Sequence, residues 1–225
     1  MRDEPLFLFD VDNTLFDNDR MNRDLDERLR DVLGEDAVRR YRQVYEKRRN
    51  ESGYADYLGS LQDLRQPGAN DAQLVQVSTF LMEYPFQRAV FPGALDALSS
   101  VGKAVILSDG DVVFQPHKIR AAGLWDAVDG RVLIHVHKER MLAQIAQAHP
   151  APHYVMVDDK LRLLAAIKRA WGERVTTVFV RQGHYALNDE ENASYPSADI
   201  TLDRIGQLAD ADIPVRASPP RARDD

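Results

Sequence analysis

Six short apolar runs do most to limit the folds open to this chain. They occupy positions 6–9, 104–107, 132–136, 154–157, 176–180 and 200–202 and are rich in Val, Ile, Leu and Phe. Each is close to continuous rather than alternating, the pattern of strands covered on both faces. Helix-period segments lie between several of them. Ala94, Leu95 and Leu98 precede the second run, and Met141, Leu142 and Ile145 precede the fourth; Leu161, Leu164, Ala165 and Ile167 follow it. Strands alternating with helices predict an α/β fold with a doubly wound, mainly parallel sheet.

The stretch 16–88 breaks that alternation. It holds no strand pattern, but four helical faces are legible: Met21, Leu25, Leu29 and Val32; Val38, Tyr41 and Tyr45; Tyr57, Leu58, Leu61 and Leu64; Leu74, Val77, Phe80, Leu81 and Tyr84. Gly34, Gly53 and Pro67-Gly68 punctuate them, and Pro92-Gly93 marks the return to the sheet. The expected organisation is an α/β core from 1–15 plus 89–213, a helical insertion over 16–88, and a disordered Pro- and Arg-rich tail over 214–225.

Composition narrows the function. Lys plus Arg number 29 against 36 Asp plus Glu, a net charge of −7 that argues against a nucleic-acid binder. With 0 cysteines, disulfides and thiolate metal sites are excluded. Met1-Arg2-Asp3-Glu4 carries no apolar signal core, and no run reaches the roughly 20 apolar residues of a membrane span. The expectation is a cytoplasmic protein with neither nucleic acid nor membrane as partner.

The first run leads into "FDVDNT", so a buried strand ends in two carboxylates, Asp10 and Asp12. Like charges that close raise each other's pKa and require a counter-charge. In open α/β sheets, ligands bind beyond the carboxyl ends of the strands. Past the second run, "AVILSDGD" supplies Ser108, Asp109 and Asp111; past the fourth, "HYVMVDDK" supplies Asp158 and Asp159; "HVHKER" places Lys138 at a helix start. Converging carboxylates suit Mg²⁺, which takes oxygen ligands and keeps waters and substrate phosphate in its shell. Asp10 with Asp159 would hold the ion and Lys138 would add a second positive charge, leaving Asp10 as an ionised nucleophile.

The order "FDVDNT", Ser108, Lys138, "VDD" resembles the four motifs of the haloacid dehalogenase-like hydrolases of phosphatase type, with their Rossmann-like core. The segment 16–88 resembles that family's small helical cap. The resemblance implies that Asp10 attacks phosphorus and that Asp12 protonates the leaving alcohol and then activates water. It implies that Ser108 holds a phosphoryl oxygen and that Lys138 neutralises charge. Mg²⁺ would be held by Asp10, the backbone carbonyl of Asp12 and Asp159, with Asp158 behind it. Thr14 would support the turn. Many relatives carry a further aspartate a turn after the metal aspartate; here Arg162 and Leu163 stand there. The implied substrate is a small phosphorylated metabolite, such as a nucleotide monophosphate or sugar phosphate. A 2-haloacid dehalogenase, a phosphomutase and a non-catalytic binding module are the rival readings.

Other features read as structure. A calcium loop starting at Asp10 would need Gly and Glu where Leu15 and Met21 stand. Ser108 alone would pass for a turn or helix cap, and Asp158-Asp159 for an N-cap of the helix at Leu161. His135 and His137 alternate along a strand without an evident third ligand. "RRYRQVYEKRR" at 39–49 reads as a solvated basic face, with attraction of anionic substrates as the alternative. "QGHYA" at 182–186 and Asp109-Gly110-Asp111 are candidates for the site rim.

Overall fold

The computed structural model describes residues 4–66, 68 and 70–214. The expected disordered tail beyond Pro214, Pro67 of the Pro67-Gly68 turn, and Met1, Arg2 and Asp3 lie outside the described residues. The described residues form a six-stranded sheet with order β3-β2-β1-β4-β5-β6. The strands are β1 (Leu6–Phe9), β2 (Ala104–Asp109), β3 (Val132–His135), β4 (Tyr154–Asp158), β5 (Val175–Val180) and β6 (Ile200–Leu202). Every neighbouring pair is parallel. The fold is thus the α/β, Rossmann-like, doubly wound sheet that the apolar runs predict. The order reverses at β1, which opens a crevice at its carboxyl end.

Two expected strand ends shift. Ser108 and Asp158 fall inside β2 and β4 rather than beyond them, because their backbones still pair with Ile134 and Phe179. His137 leaves β3 with φ of 60°, so it does not continue the strand that carries His135.

Four α-helices lie in the segment 16–88 among the described residues: α1 (Asn18–Leu33), α2 (Glu35–Ser52), α3 (Tyr57–Gln62) and α4 (Asp71–Met82). Asp17 starts α1 by accepting from the Arg20 N–H. Met21, Leu25 and Leu29 form its fully buried stripe, at the 3.6-residue period. That stripe belongs to the same apolar cluster as Phe7, Phe9, Ile106 and Val157 on one sheet face. Leu6, Leu8, Val105 and Met156 point to the other face. The chain enters and leaves the helical segment side by side. Asp17 N donates to Ala89 O at 2.7 Å and Phe91 N to Leu15 O at 2.9 Å.

The remaining α-helices among the described residues are α5 (Ala94–Ser100), α6 (Phe114–Ala121), α7 (Leu124–Ala127), α8 (Leu142–Ala148), α9 (Leu161–Trp171), α10 (Gly183–Ala186) and α11 (Asp189–Asn192). Leu95 is 47% exposed; Ala94, Ala97 and Leu98 form the buried face of α5 instead. No helix of the described residues is long and apolar enough to cross a membrane.

Gly93 opens α5 with φ of +78°, and a Cβ there would stand 2.6 Å from the Gly206 Cα. The obstacle is backbone, so no rotamer relieves it. Gly93→Ala is therefore expected to cost about 1–3 kcal/mol, by the size of local backbone strain. At roughly 2–4 °C per kcal/mol for a chain of this length, the melting temperature falls by about 2–12 °C. An unchanged melting temperature in a thermal scan would contradict this packing.

Candidate active site

The loop after β1 is built to turn a carboxylate back over the sheet. Leu15 and Phe16 N–H groups both donate to Val11 O at 2.9 Å, and Asn13 adopts φ of 62°, a region Asn tolerates better than most residues. Thr14 is fully buried and its hydroxyl lies 3.5 Å from Asp10 Oδ2, so it braces this turn. Leu15 and Met21 are fully buried in the core, which leaves no calcium loop here.

Five of the six predicted site residues are buried: Asp10, Ser108, Lys138, Asp158 and Asp159. The Asp12 side chain keeps 23% exposure and lines the opening above them. Lys138 Nζ lies 2.5 Å from Asp10 Oδ1 and 2.7 Å from Asp158 Oδ2. It also donates to Leu107 O at 3.3 Å. Its own N–H donates to Asp109 Oδ1 at 2.8 Å, which fixes the loop that delivers it. Burial disfavours the Lys138 ammonium, but Asp10 and Asp158 outweigh it and hold its pKa above the usual lysine value. Burial likewise disfavours ionised Asp10, and Lys138 with Lys160 pulls it below the usual carboxylate range. Asp109 moves the other way, pushed up by burial despite Lys138.

Asp158 and Asp159 differ in their partners. Asp158 contacts Lys138 and its Oδ1 accepts from Lys160 N at 2.9 Å. It thus holds the turn before α9 rather than capping the helix, whose N-cap, Lys160, makes no side-chain cap bond. Both Asp159 oxygens are buried without a hydrogen-bond partner among the described residues. Lys160 Nζ stands 3.6 Å from one of them, an ion pair across a longer gap. Burial pushes both carboxyls above the usual range, Asp159 further, against the pull of Lys138 on Asp158 and Lys160 on Asp159.

Asp10, Asp158 and Asp159 each present an oxygen within 4.8 Å of the others. A buried carboxylate without a hydrogen-bond donor, beside a second one, is what a hard divalent cation binds. The donor set is all oxygen, which fits Mg²⁺.

Ser108 is not a cap; its hydroxyl accepts from Gln115 Nε2 at 2.8 Å. A cavity of about 700 Å³ opens between these strand ends and α1 and α2, lined among others by Asp12, Asn18, Tyr45, Arg49, Lys160 and Tyr185. The "QGHYA" stretch does form part of its rim. His184 N donates to Asp19 Oδ2 at 2.8 Å, and Asp19 Oδ1 lies 2.6 Å from His184 Nδ1, which must carry a proton to donate. Burial disfavours ionised Asp19, but the hydrogen bonds from His184 and Asn13 lower its pKa. Asp109 lines the cavity too, whereas Asp111 Oδ1 accepts from Val113 N and Phe114 N at the start of α6.

Much of the basic stretch on α2 is neutralised. Arg42 pairs with Asp26 and Arg48 with Asp56 and Asp63, while Arg49 reaches the Tyr185 hydroxyl at the cavity mouth. His137 packs against Gly53 and lies 3.8 Å from Glu139, outside the carboxylate cluster.

A haloacid dehalogenase-like hydrolase from Burkholderia xenovorans LB400 superposes with a TM-score of 0.87, is 54% identical, and matches over 93% of this chain and 99% of its own. The chain belongs to the haloacid dehalogenase-like hydrolases. No family model and no curated protein matches the sequence. More distant members share the fold. One from Xanthomonas campestris is 19% identical with a TM-score of 0.64, covering 93% of this chain and 90% of its own. The L-2-haloacid dehalogenase of Xanthobacter autotrophicus is 17% identical with a TM-score of 0.60, covering 92% and 97%.

Within this hydrolase, three neighbours of the site had no place in the sequence expectations: Gln115, Lys118 and Lys160. Lys160 could have been found as the cation directly after "VDD". Gln115 and Lys118 lie on α6, where Pro116 obscures the helix. Proline is tolerated there because it sits in the first turn.

Proposed function

We propose that this hydrolase cleaves small phosphate monoesters with Mg²⁺, through an aspartyl-phosphate on Asp10. The observation that carries the reading is the Asp159 carboxylate, buried beside Asp10 without a hydrogen bond. Displacing halide from a haloacid calls for no such cation-binding carboxylate, whereas phosphoryl transfer draws on metal charge. A distant structural neighbour, a hydrolase of the same family from Bacillus subtilis, is bound to magnesium, in keeping with this reading.

Asp10, Asp159 and the Asp12 backbone carbonyl would hold the ion, with Asp158 occupied by Lys138. When bound, the ion stabilises charge on the transferring phosphoryl oxygens. The protein's own groups do the rest. Lys138 holds Asp10 Oδ1, and Oδ2, with its 3.5 Å contact to Thr14, is the oxygen freer to attack phosphorus. As the P–O bond to the alcohol breaks, Asp12 passes its proton to the leaving oxygen. Asp12 then takes a proton from the water that attacks phosphorus and releases Asp10. Ser108 donates its hydroxyl to a phosphoryl oxygen. The segment α1–α4 would act as a cap that selects the substrate. A cavity of about 700 Å³ suits a ligand of nucleotide or sugar phosphate size.

The test is a trapped intermediate. Asp12→Asn is expected to slow turnover of alkyl phosphates by about 10²–10⁴-fold, the usual worth of a general acid–base group. With p-nitrophenyl phosphate the first step needs little protonation, while hydrolysis still needs a base. The variant then accumulates one added phosphoryl group, seen by intact mass and removed by hydroxylamine. A wild type inert across a broad panel of phosphate esters, with no adduct in the variant, would defeat the reading. Chloride release from 2-chloroacids without metal would favour the dehalogenase.

A further inference from the structure

One helix holds both oxygens of Asp12. Lys118 Nζ pairs with Asp12 Oδ1, and Gln115 Nε2 reaches Oδ2 at 3.2 Å. The two residues are three apart on α6 and so share a helix face. We propose that Gln115 and Lys118 are positioning residues for Asp12, and that Gln115 also aims the Ser108 hydroxyl. This rests on the phosphatase reading, in which Asp12 moves the proton.

Three features favour a positioning role over a structural ion pair. The first is burial. Lys118 is 0% exposed, although a lysine stem can usually carry its charge out to water. A buried ion pair is poor evidence for stability, since apolar replacements often hold a fold as well or better. Lys118 Nζ also lies 3.4 Å from Asn18 Oδ1 and 5.4 Å from the Phe16 ring centre, so its own position is closely defined.

The second is where the held group sits. Asp12 lies on a loop three residues beyond β1, partly open to the cavity, with two side-chain torsions to restrain. A carboxylate that must meet a leaving oxygen and then a water gains from fixed geometry. A misplacement of about 1 Å can cost 10²-fold in rate.

The third is the proton arrangement. The Gln115 amide has two hydrogens; one serves Asp12 and the other serves Ser108 Oγ at 2.8 Å. Because Ser108 accepts from Gln115, its own proton is directed elsewhere. Its acceptor among the described residues, Asp109 O, is a weak one at 3.4 Å, so the proton is available to a phosphoryl oxygen. Gln115 thereby ties the hydroxyl that would bind the phosphoryl group to the carboxylate that would move the proton. Asn18 Nδ2 continues the network to the Tyr57 hydroxyl at 3.0 Å, which joins α6 to the helical segment.

Lys118→Met removes the nitrogen and keeps the length of the stem. The rate of phosphoenzyme formation from an alkyl ester such as glycerol phosphate is expected to fall by about 10–10²-fold. With p-nitrophenyl phosphate, whose leaving group needs little acid, the fall is expected to stay under about 3-fold, with KM unchanged for both esters. Lys118→Arg should recover most of the loss. In an Asp12→Asn background, Lys118→Met is expected to add less than about 2-fold, because it acts through a carboxylate already gone. Lys118→Gln, which keeps a donor for its buried neighbours, reads the same cycle should Lys118→Met not fold. Equal losses for both esters, repeated in the Asp12→Asn background, would overturn the positioning role and leave an ion pair of the fold. A wild type inert toward both esters would overturn the phosphatase reading and this proposal with it.

Discussion

Replacing Asp10 with Asn is expected to abolish turnover, on the order of a 10⁶-fold loss, the scale seen when a covalent nucleophile is removed. The change keeps the shape of the side chain and removes the ionised oxygen proposed to form the bond. The fold should survive it. Lys138 keeps Asp158 at 2.7 Å as a counter-ion, and the Asp10 N–H still donates to Val157 O. Circular dichroism and the melting temperature check that point. No phosphoryl adduct should appear by intact mass with any ester, in contrast to Asp12→Asn. Residual activity within about 10³-fold of wild type would mean that the attacking group lies elsewhere, since even a lost acid–base group reaches that size.

Metal removal has the second largest expected effect. EDTA should bring activity to background and Mg²⁺ should restore it. The two neighbouring aspartates should then separate. Asp159, whose oxygens have no hydrogen-bond donor, is read as the ligand, so Asp159→Ala should prevent restoration at millimolar Mg²⁺. Asp158 is engaged by Lys138 and by Lys160 N, so Asp158→Ala should raise the Mg²⁺ requirement by about 10–100-fold, as residues behind a ligand do. A readout independent of activity is available. Mg²⁺ at about 100 times its Kd should stabilise the wild-type fold by about 2.7 kcal/mol, raising the melting temperature, and should leave Asp159→Ala unchanged. The reverse ranking of the two variants would reassign the ligand.

The sheet was largely legible because burial on both faces writes a local signature. Each of the six apolar runs is a strand, and β1 and β6 begin and end where their runs do. The helical faces of 21–32 and 38–45 were equally plain, since a stripe at every third or fourth residue needs no distant partner to be seen. The motif residues could be listed for a related reason. Strand ends in a doubly wound sheet share one edge, so Asp10, Ser108 and Asp159 converge once the topology is known. The strands β2 and β4 were misjudged at their ends because Ser108 and Asp158 are polar residues that the ladder keeps, and hydropathy cannot show backbone pairing.

Other features depended on the folded chain. That β1 is central, between β2 and β4, follows from which strands pair over long stretches of chain, Phe7 with Ala104 and Leu6 with Tyr154; no window of sequence contains that information. The division of labour between Asp158 and Asp159 was hidden as well. Adjacent identical side chains were told apart by a turn that points one at Lys138 and leaves the other without a donor. The grip on Asp12 is the clearest case. Lys118 stands 106 positions away, on a helix whose first turn carries Pro116, and its charge is hidden from water. Apolar periodicity is a property of neighbours along the chain and survives in one dimension. An ion pair or a shared hydrogen is a property of atoms a few ångströms apart in space, and only packing decides which atoms those are.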